Sequence, residues 1–247
     1  MKTIAIAAQK GGAGKTTTAL AVSAGLHDDG KKVLIIDLDN QCNTSMVLSA
    51  GSGNQYQNIT DALAGKGSKK PLEPCQNGYI LPSTAFLSDS SINALSAIKT
   101  ITNAYSRDFD YCVIDCPPAL GMLTMAALAA SDFVVVPVKT DVFGYAAVQA
   151  TAATIATVKG KLNKKLRFLG VLPCMVNSRT RIAADFLQAL EDLAAGYKCR
   201  LYAPIRASAA VQEAQALKQG NIFQYAPRTG AAIDYKAFLE DLKGDIS

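Results

Sequence analysis

The 247-residue sequence predicts an α/β fold, in which a doubly wound and mostly parallel sheet carries helices on both faces. Two observations predict this fold class. Short apolar runs alternate along the chain with longer segments of helical periodicity, which is typical of strands joined by crossover helices. The apolar runs are also continuous, as expected of strands that are covered on both faces. No linker or repeat interrupts the pattern, so we expect one domain over residues 1–247.

The predicted strands are the short apolar runs rich in branched residues, at 3–8, 33–37, 111–115, 133–138 and 168–176. The predicted helices are the longer segments between and after them, at 15–29, 90–105, 121–130, 143–158, 180–195, 209–218 and 230–243. Two stretches rich in Gly, Ser, Asn and Lys are predicted loops, at 51–58 and 65–71. Ligands of such sheets bind at the carboxyl ends of the strands, so the residues that follow each strand are the candidates for chemistry.

Composition predicts a folded protein of the cytoplasm. Hydrophobic residues make up 49% of the chain and charged residues 18%, which supplies a sizeable core. The six cysteines form no CxxC pair, which favours buried thiols in a reducing compartment over a metal site. The first residues enter a strand directly, so no signal peptide is expected, and the longest uncharged runs are too polar to span a membrane.

A glycine-rich segment follows the first predicted strand and leads directly into the first predicted helix. It reads Gln9-Lys10-Gly11-Gly12-Ala13-Gly14-Lys15-Thr16-Thr17. Its glycines let successive backbone N–H groups converge on phosphate oxygens, and the new helix adds its positive end. In such a loop Lys15 reaches the β- and γ-phosphates and the Thr16 hydroxyl holds Mg²⁺, so the segment predicts nucleotide binding. The general pattern has Gly where this chain has Gln9, and Lys10 is an addition to it.

Three aspartates end predicted strands at one edge of the sheet. Asp37 and Asp39 close the second strand, and their spacing puts both on the same face. A carboxylate at this place can orient the attacking water, and another can act through the magnesium shell. Asp115 ends the third apolar strand, level with the phosphate loop, and is expected to hold Mg²⁺ through its water.

The pattern KGGxGKT, with its extra lysine at 10, resembles the signature of the deviant Walker-A class of phosphate-loop NTPases, which includes the ParA and Soj partition proteins. The segment 110–138, with Asp115-Cys116-Pro117-Pro118, also resembles Soj and ParA sequences closely. The likeness covers nearly the whole chain and is weakest between residues 50 and 105. It implies a Mg²⁺-dependent ATPase that forms an ATP-dependent sandwich homodimer, in which Lys10 crosses to the ATP of the facing subunit.

The same resemblance assigns the acids. The family has DxDPQGN where this chain has Asp37-Leu38-Asp39-Asn40-Gln41-Cys42-Asn43. This implies that Asp39 is needed for hydrolysis and belongs, with Thr16 and Asp115, to the metal site. The chain departs from the pattern at Asn40 and Cys42, which affects the conformation expected of this loop.

The second half of the chain is basic. Residues 142–233 hold 12 Lys and Arg against 4 Asp and Glu, which predicts a polyanionic partner. The resemblance implies that Arg179 contacts DNA, and Arg206 is an approximate match to a second such arginine. We expect duplex DNA to be bound without sequence preference. Asn177 is a candidate for the adenine edge because its amide offers a donor and an acceptor, and a role in a turn is equally open.

The resemblance therefore implies a ParA-type DNA-partitioning ATPase that associates with the nucleoid and is stimulated by a ParB-like centromere-binding protein. A MinD-like ATPase of the membrane surface is an alternative, but it needs a basic amphipathic C-terminal helix. Here Tyr235, Phe238, Leu239 and Leu242 form a stripe that predicts core packing, and its flanks are acidic, so no membrane partner is expected. An iron–sulfur carrier needs paired cysteines, which Cys112 and Cys116 do not match. Metabolic amidoligases of the superfamily stay open.

Overall fold

The structure is a computed structural model that describes residues 1–49, 55–66, 72–141, 143–177 and 181–247. Its strands are β1 (Lys2–Ile6), β2 (Val33–Asp37), β3 (Glu73–Cys75), β4 (Gly78–Leu81), β5 (Tyr111–Asp115), β6 (Phe133–Lys139), β7 (Arg167–Cys174) and β8 (Arg200–Leu201). Its helices are α1 (Lys15–Asp28), α2 (Asn43–Leu48), α3 (Ile59–Leu63), α4 (Ala97–Ala104), α5 (Met122–Ala130), α6 (Gly144–Lys161), α7 (Arg181–Tyr197), α8 (Ala209–Ala216), α9 (Ile222–Tyr225) and α10 (Gly230–Ile246).

Within the described residues the strands form one sheet of eight, in the order β3-β4-β2-β5-β1-β6-β7-β8. Neighbouring strands are parallel except at the pair β3–β4, which is antiparallel. Buried side chains of α4, α5, α6 and α7 pack on one face of the sheet, and those of α1, α9 and α10 pack on the other. The predicted doubly wound, mostly parallel sheet is therefore confirmed.

The register places the ends of the central strands side by side. Ile6 at the end of β1 and Asp37 at the end of β2 both pair with Asp115 at the end of β5. We call this side of the sheet the carboxyl edge and the opposite side, where the parallel strands begin, the amino edge. The loops that follow β1, β2 and β5 meet at the carboxyl edge, as the sequence predicts.

The five strands expected from the sequence are present, but one predicted helix differs, and the short elements β3, β4, β8, α2, α3 and α9 were not predicted. The predicted helix 90–105 is a 3₁₀ turn at Asp89–Ser91 followed by α4. Side chains of Ser88 and Ser91 bond each other's backbone N–H groups there, and such local bonds compete with a longer helix. The hairpin of β3 and β4 was not predicted, although Asn77-Gly78 is a turn signal and Gly78 has a φ of 118°.

The last helix packs as expected. Tyr235, Phe238, Leu239 and Leu242 of α10 are buried against α1, and this confirms that the stripe is core. A Cβ on Gly25 would lie 2.3 Å from a methyl of Leu239, so a side chain at this position would have to displace Leu239. Across the described part of the chain, every helix is too short or too polar to span a bilayer.

Candidate functional site

The segment between β1 and α1 folds as a loop that wraps the start of the helix. Gly12 and Gly14 have φ values of 69° and 97°, which glycine adopts without strain. A Cβ on Gly14 would also lie 3.1 Å from the sulfur of Cys174, whereas Ala13 is buried in the core. The N-cap residue of α1 is Gly14, which has no side chain to cap the first turn. The N–H groups of α1 and the positive end of its dipole are therefore available to an anion.

Two lysines of the loop have different surroundings. Lys15 is only 6% exposed, and its ammonium donates a 3.1 Å hydrogen bond to the backbone carbonyl of Lys10. Burial lowers the pKa of Lys15, and the carboxylates Asp115 and Asp39 oppose that shift. The ammonium of Lys10 instead pairs with both carboxylate oxygens of Asp141 and lies 5.7 Å from the ring centre of Phe143. Lys15 is thus buried against the backbone of the loop, whereas Lys10 is partly exposed and is held by Asp141.

The acids at the carboxyl edge are buried together. Asp37 is fully buried and accepts hydrogen bonds from the N–H of Asp39 at 3.0 Å and from the N–H and hydroxyl of Ser45 at 2.9 and 2.7 Å. Burial raises the pKa of Asp37, and the charge of Asp115 raises it further. The pKa of Asp115 is also raised by burial, against the opposing hydrogen bonds from Thr44 and Thr16.

Asp115 joins three segments of the site. Its Oδ2 accepts hydroxyl hydrogen bonds from Thr16 at 2.8 Å and from Thr44 at 2.7 Å. Its Oδ1 is buried and has no hydrogen-bond partner among the described residues. Asp39 lies in the same cleft, 6% exposed, and one of its oxygens accepts the N–H of Gln41 at 3.1 Å.

These oxygens fit magnesium. In the described ranges no group of three or more His, Cys, Asp or Glu residues is arranged to hold a metal by itself. Magnesium is instead commonly held by one or two protein oxygens together with water and substrate phosphates. The hydroxyl of Thr16, the carboxylate of Asp39 and the unsatisfied Oδ1 of Asp115 are the hard oxygens that such a site requires.

A cleft of about 1070 Å³ opens over the loop, which is ample for a nucleotide. One wall is α2 with residues 39–41, which we call the Asp39 segment, and the other is the loop 205–208 with α8. Gln215 of α8 donates a 2.9 Å hydrogen bond to the hydroxyl of Thr17, which ties that wall to α1. Residues from several parts of the chain line the cleft, among them Gly11, Gly12, Gly14, Lys15, Thr16, Thr17, Asp39, Met46, Lys139, Cys174, Met175, Arg206, Gln212, Gln215 and Tyr235.

The remaining sequence-predicted residues are not all part of this cleft. Asn177 follows β7, is exposed, and lies outside the lining of the cleft. Arg206 does line it, and its guanidinium bonds both oxygens of Asp234, at 2.7 and 2.8 Å. Arg179 lies outside the described residues.

Sequence reasoning missed several contacts of the site. Thr44, Ser45 and Asp141 bond directly to residues that were predicted. The hydroxyl residues Thr44 and Ser45, which follow Asp39 closely, could have indicated these contacts, since buried carboxylates need hydrogen-bond donors. No such signal exists for Asp141, which meets Lys10 across 131 residues of chain.

The fold and the site together define a class: an α/β protein with a phosphate loop between β1 and α1 and acids at the ends of neighbouring strands. A family model described as an AAA domain matches residues 1–168. The chain is 32% identical over 244 residues to the sporulation initiation inhibitor protein Soj of Bacillus subtilis, which covers 95% of both chains. It is 32% identical over 248 residues to the chromosome-partitioning ATPase Soj of Thermus thermophilus, covering 100% of this chain and 97% of that protein.

Solved structures of other proteins match this fold over nearly the whole chain. Cobyrinic acid a,c-diamide synthase of Mycobacterium smegmatis with bound ADP and magnesium matches with a TM-score of 0.82 at 29% identity, covering 98% of this chain and 94% of that one. McdA of Cyanothece in complex with ATP matches with a TM-score of 0.85 at 24% identity, covering 100% and 96%, and at that identity it supports the fold alone. The chain belongs to the AAA-domain family of Soj and ParA partitioning ATPases.

Proposed function

We propose that residues 1–247 form one ATPase domain that binds Mg-ATP in the cleft, closes as a homodimer and binds duplex DNA in the cytoplasm. The observation that carries this proposal is the contact of Thr16 with Asp115 beside the buried ammonium of Lys15, at the uncapped start of α1. A helix start, a lysine and a hydroxyl paired with a buried acid are the elements that phosphate-loop proteins use for a magnesium-bound triphosphate.

In this proposal the loop binds the phosphates through the N–H groups of Gly11, Gly12, Ala13, Gly14, Thr16 and Thr17. Lys15 neutralises the β- and γ-phosphates, and Mg²⁺, when bound with ATP, spreads the charge of the phosphoryl group. Asp39 lines the cleft, where its carboxylate can orient a water for attack on the γ-phosphate. Asn177 is assigned to the adenine edge, which requires it to approach the cleft from its exposed position.

Homodimer formation is supported by the carboxyl edge itself. Phe86 and Phe143 are 86% and 73% exposed there, and Met122 is 39% exposed. Large exposed apolar side chains at one edge of the sheet favour contact with another protein surface. Lys10 lies beside Phe143 at the same edge, so a second copy facing this edge would bring its own Lys10 towards the triphosphate.

DNA binding and a ParB-like partner complete the proposal, and the named relatives support both at the level of the family. Arg179 and Arg206 are the assigned DNA contacts. The side chain of Arg206 is 53% exposed despite its pairing with Asp234, so a phosphate oxygen can still reach its guanidinium. Dimerisation doubles this basic surface, which makes DNA affinity depend on the nucleotide.

The test is duplex DNA binding at equal low salt with Mg-ATP, Mg-ADP and no nucleotide. Of these three conditions, we expect only Mg-ATP to give strong DNA binding. Arg179→Ala and Arg206→Ala should weaken that binding several-fold. Lys164→Ala, an exposed lysine at the amino edge, is the matched control. DNA binding that ignores the nucleotide would contradict the proposed switch. Sedimentation of Asp39→Ala with saturating Mg-ATP tests the dimer separately, and a monomer there would remove the sandwich from the proposal.

A further inference from the structure

Thr44 is a buried hydroxyl residue in the first turn of α2, five residues after Asp39. It is fully buried, and its Oγ1 donates to Oδ2 of Asp115 at 2.7 Å. The hydroxyl of Thr16 donates to the same oxygen at 2.8 Å. One carboxylate oxygen therefore joins the helix of the phosphate loop to the segment that carries Asp39.

The next residue makes a parallel connection. Ser45 donates to Oδ2 of Asp37 through both its N–H and its hydroxyl. The hydroxyl oxygen of Ser45 also accepts the N–H of Ser83, at 2.8 Å. The first turn of α2 is thus fixed to the ends of two neighbouring strands, β2 and β5. A rearrangement at either acid has to move this turn or break one of these bonds.

The two hydroxyls also orient Asp115. Because both donate to Oδ2, the carboxylate cannot rotate without losing two charge-assisted hydrogen bonds in a buried place. Oδ1 is left buried and without a donor among the described residues, which makes it the oxygen able to accept an added polar group. On the proposed function, that group would be water bound to Mg²⁺, which the Thr16 hydroxyl would also hold.

We propose that Thr44 is a positioning residue that holds Asp115 for Mg²⁺ and thereby couples magnesium-nucleotide binding to the Asp39 segment. Groups that orient a metal site from outside its immediate ligands are commonly worth about 10-fold in metal affinity. This inference rests on the proposed function, because it requires that the cleft binds a magnesium nucleotide. It does not require hydrolysis, a dimer or DNA.

The experiment measures calorimetric binding of the non-hydrolysable analogue AMP-PNP over a series of Mg²⁺ concentrations. The variants are Thr44→Val, which keeps the shape and removes the donor, and Thr44→Ser, which restores the donor. Thr102→Val is the matched control, since Thr102 is a buried threonine whose hydroxyl donates to the carbonyl of Lys99 in its own helix. For Thr44→Val we expect the half-saturating Mg²⁺ concentration to rise about 10-fold, with unchanged affinity in the absence of Mg²⁺. Thr44→Ser and Thr102→Val should match the parent.

Amide hydrogen exchange of residues 43–48 tests the coupling. Mg-AMP-PNP should slow exchange there in the parent and in Thr44→Ser, but not in Thr44→Val at equal occupancy. The inference would be overturned if Thr44→Val showed the same Mg²⁺ dependence as the parent. It would also be overturned if Mg-AMP-PNP slowed amide exchange of α2 equally in Thr44→Val and Thr44→Ser. If Thr44→Val does not fold, Thr44→Ala replaces it with the same expectations. A parent that binds no AMP-PNP at any Mg²⁺ concentration would instead refute the proposed function.

Discussion

The two edges of the sheet use the same kinds of charged residues in opposite ways. At the amino edge, Asp132 and Asp110 each accept one backbone N–H, from Thr3 at 2.8 Å and from Lys32 at 2.9 Å, at the exposed ends of strands. At the carboxyl edge, Asp37 and Asp115 are side by side and buried, and the charge of one raises the pKa of the other. The first arrangement stabilises the fold, whereas the second costs stability unless a cation is added.

The basic residues divide in the same way. Lys159, Lys161, Lys164, Lys165 and Arg167 lie at the amino edge, where α6 ends and β7 begins. Lys10, Lys15 and Arg206 lie at the carboxyl edge, and each contacts a carbonyl or a carboxylate. Basic residues therefore lie at both edges, and we expect only those at the carboxyl edge to respond to a nucleotide.

The largest effect is expected from Lys15→Gln. The variant loses a buried ammonium that faces the phosphate site, and a charge-assisted contact of this kind is worth about 3 kcal/mol, or about 100-fold in affinity. Calorimetric titration with Mg-ATP measures it. Lys164→Gln removes the same charge at the amino edge and should leave ATP affinity unchanged. Equal losses in the two variants would show that the cleft is not where ATP binds.

Most of the site at the carboxyl edge could be predicted from the sequence, because its functional groups lie in short continuous segments. Lys10 to Thr17 form one loop, and Asp37 and Asp115 end apolar runs whose strands are parallel. The register then puts these acids together without further information. The sequence could not assign each basic residue to one edge of the sheet, because that assignment depends on where each strand begins.

Other parts depended on contacts that no local pattern encodes. The bond of Thr44 to Asp115 spans 71 residues and depends on a six-residue helix, α2, whose length is too short for a periodic signal. The pairing of Lys10 with Asp141 depends on the loop after β6. Between residues 50 and 105 the helix prediction was wrong in part because serine side chains bond the backbone at 88–91.

The buried acids predict an unusual pH dependence of stability without magnesium or nucleotide. Burial raises the pKa of Asp37 to about 7 from an ordinary value of 3.8, so the folded state binds this proton more tightly. The resulting stabilisation is fully present below pH 3.8 and is lost as the pH rises through 7. Between pH 5.5 and 8 the loss from this group is on the order of 2 kcal/mol. Urea unfolding at the two pH values measures it.

Asp37→Asn separates this acid from the other titrating groups. The variant has no carboxyl at position 37, so the titration that burial and the charge of Asp115 shift upward in the parent is absent. Its unfolding free energy should therefore fall less than that of the parent between pH 5.5 and 8. The same fall in both proteins would place the pH dependence elsewhere and remove the contrast between the edges.

A smaller effect is expected from Asp141→Asn. This variant frees Lys10, whose ammonium is held by both oxygens of Asp141 in a partly exposed pair. Pairs of this exposure contribute about 1 kcal/mol or less, so release should favour contact of Lys10 with a facing copy by up to about 5-fold. Sedimentation velocity with Mg-AMP-PNP measures the dimer dissociation constant. Asp132→Asn at the amino edge is the control, and a dimer weakened by Asp141→Asn would mean that Asp141 itself serves the interface.

The smallest effect concerns backbone strain, which also differs between the edges. Among the described residues, four that are not glycine have positive φ, and three of these, Cys42, Met175 and Lys218, lie at or near the cleft. Cys42 has a φ of 55° and precedes α2, directly beside the Asp39 segment. A left-handed backbone costs a residue with a Cβ about 1 kcal/mol, which glycine avoids, and the greater freedom of glycine in the unfolded chain offsets part of that gain.

Cys42→Gly should therefore raise the melting temperature by about 1–3 °C, since about 1 kcal/mol shifts a chain of this size by about 2–4 °C. Differential scanning calorimetry measures the change. Cys75→Gly makes the same chemical change in β3, where φ is not positive, and should lower the melting temperature. A lower value for Cys42→Gly as well would mean that the Cys42 side chain stabilises the loop more than its backbone strains it. In that case the buried acids alone would lower the stability of the fold at the carboxyl edge.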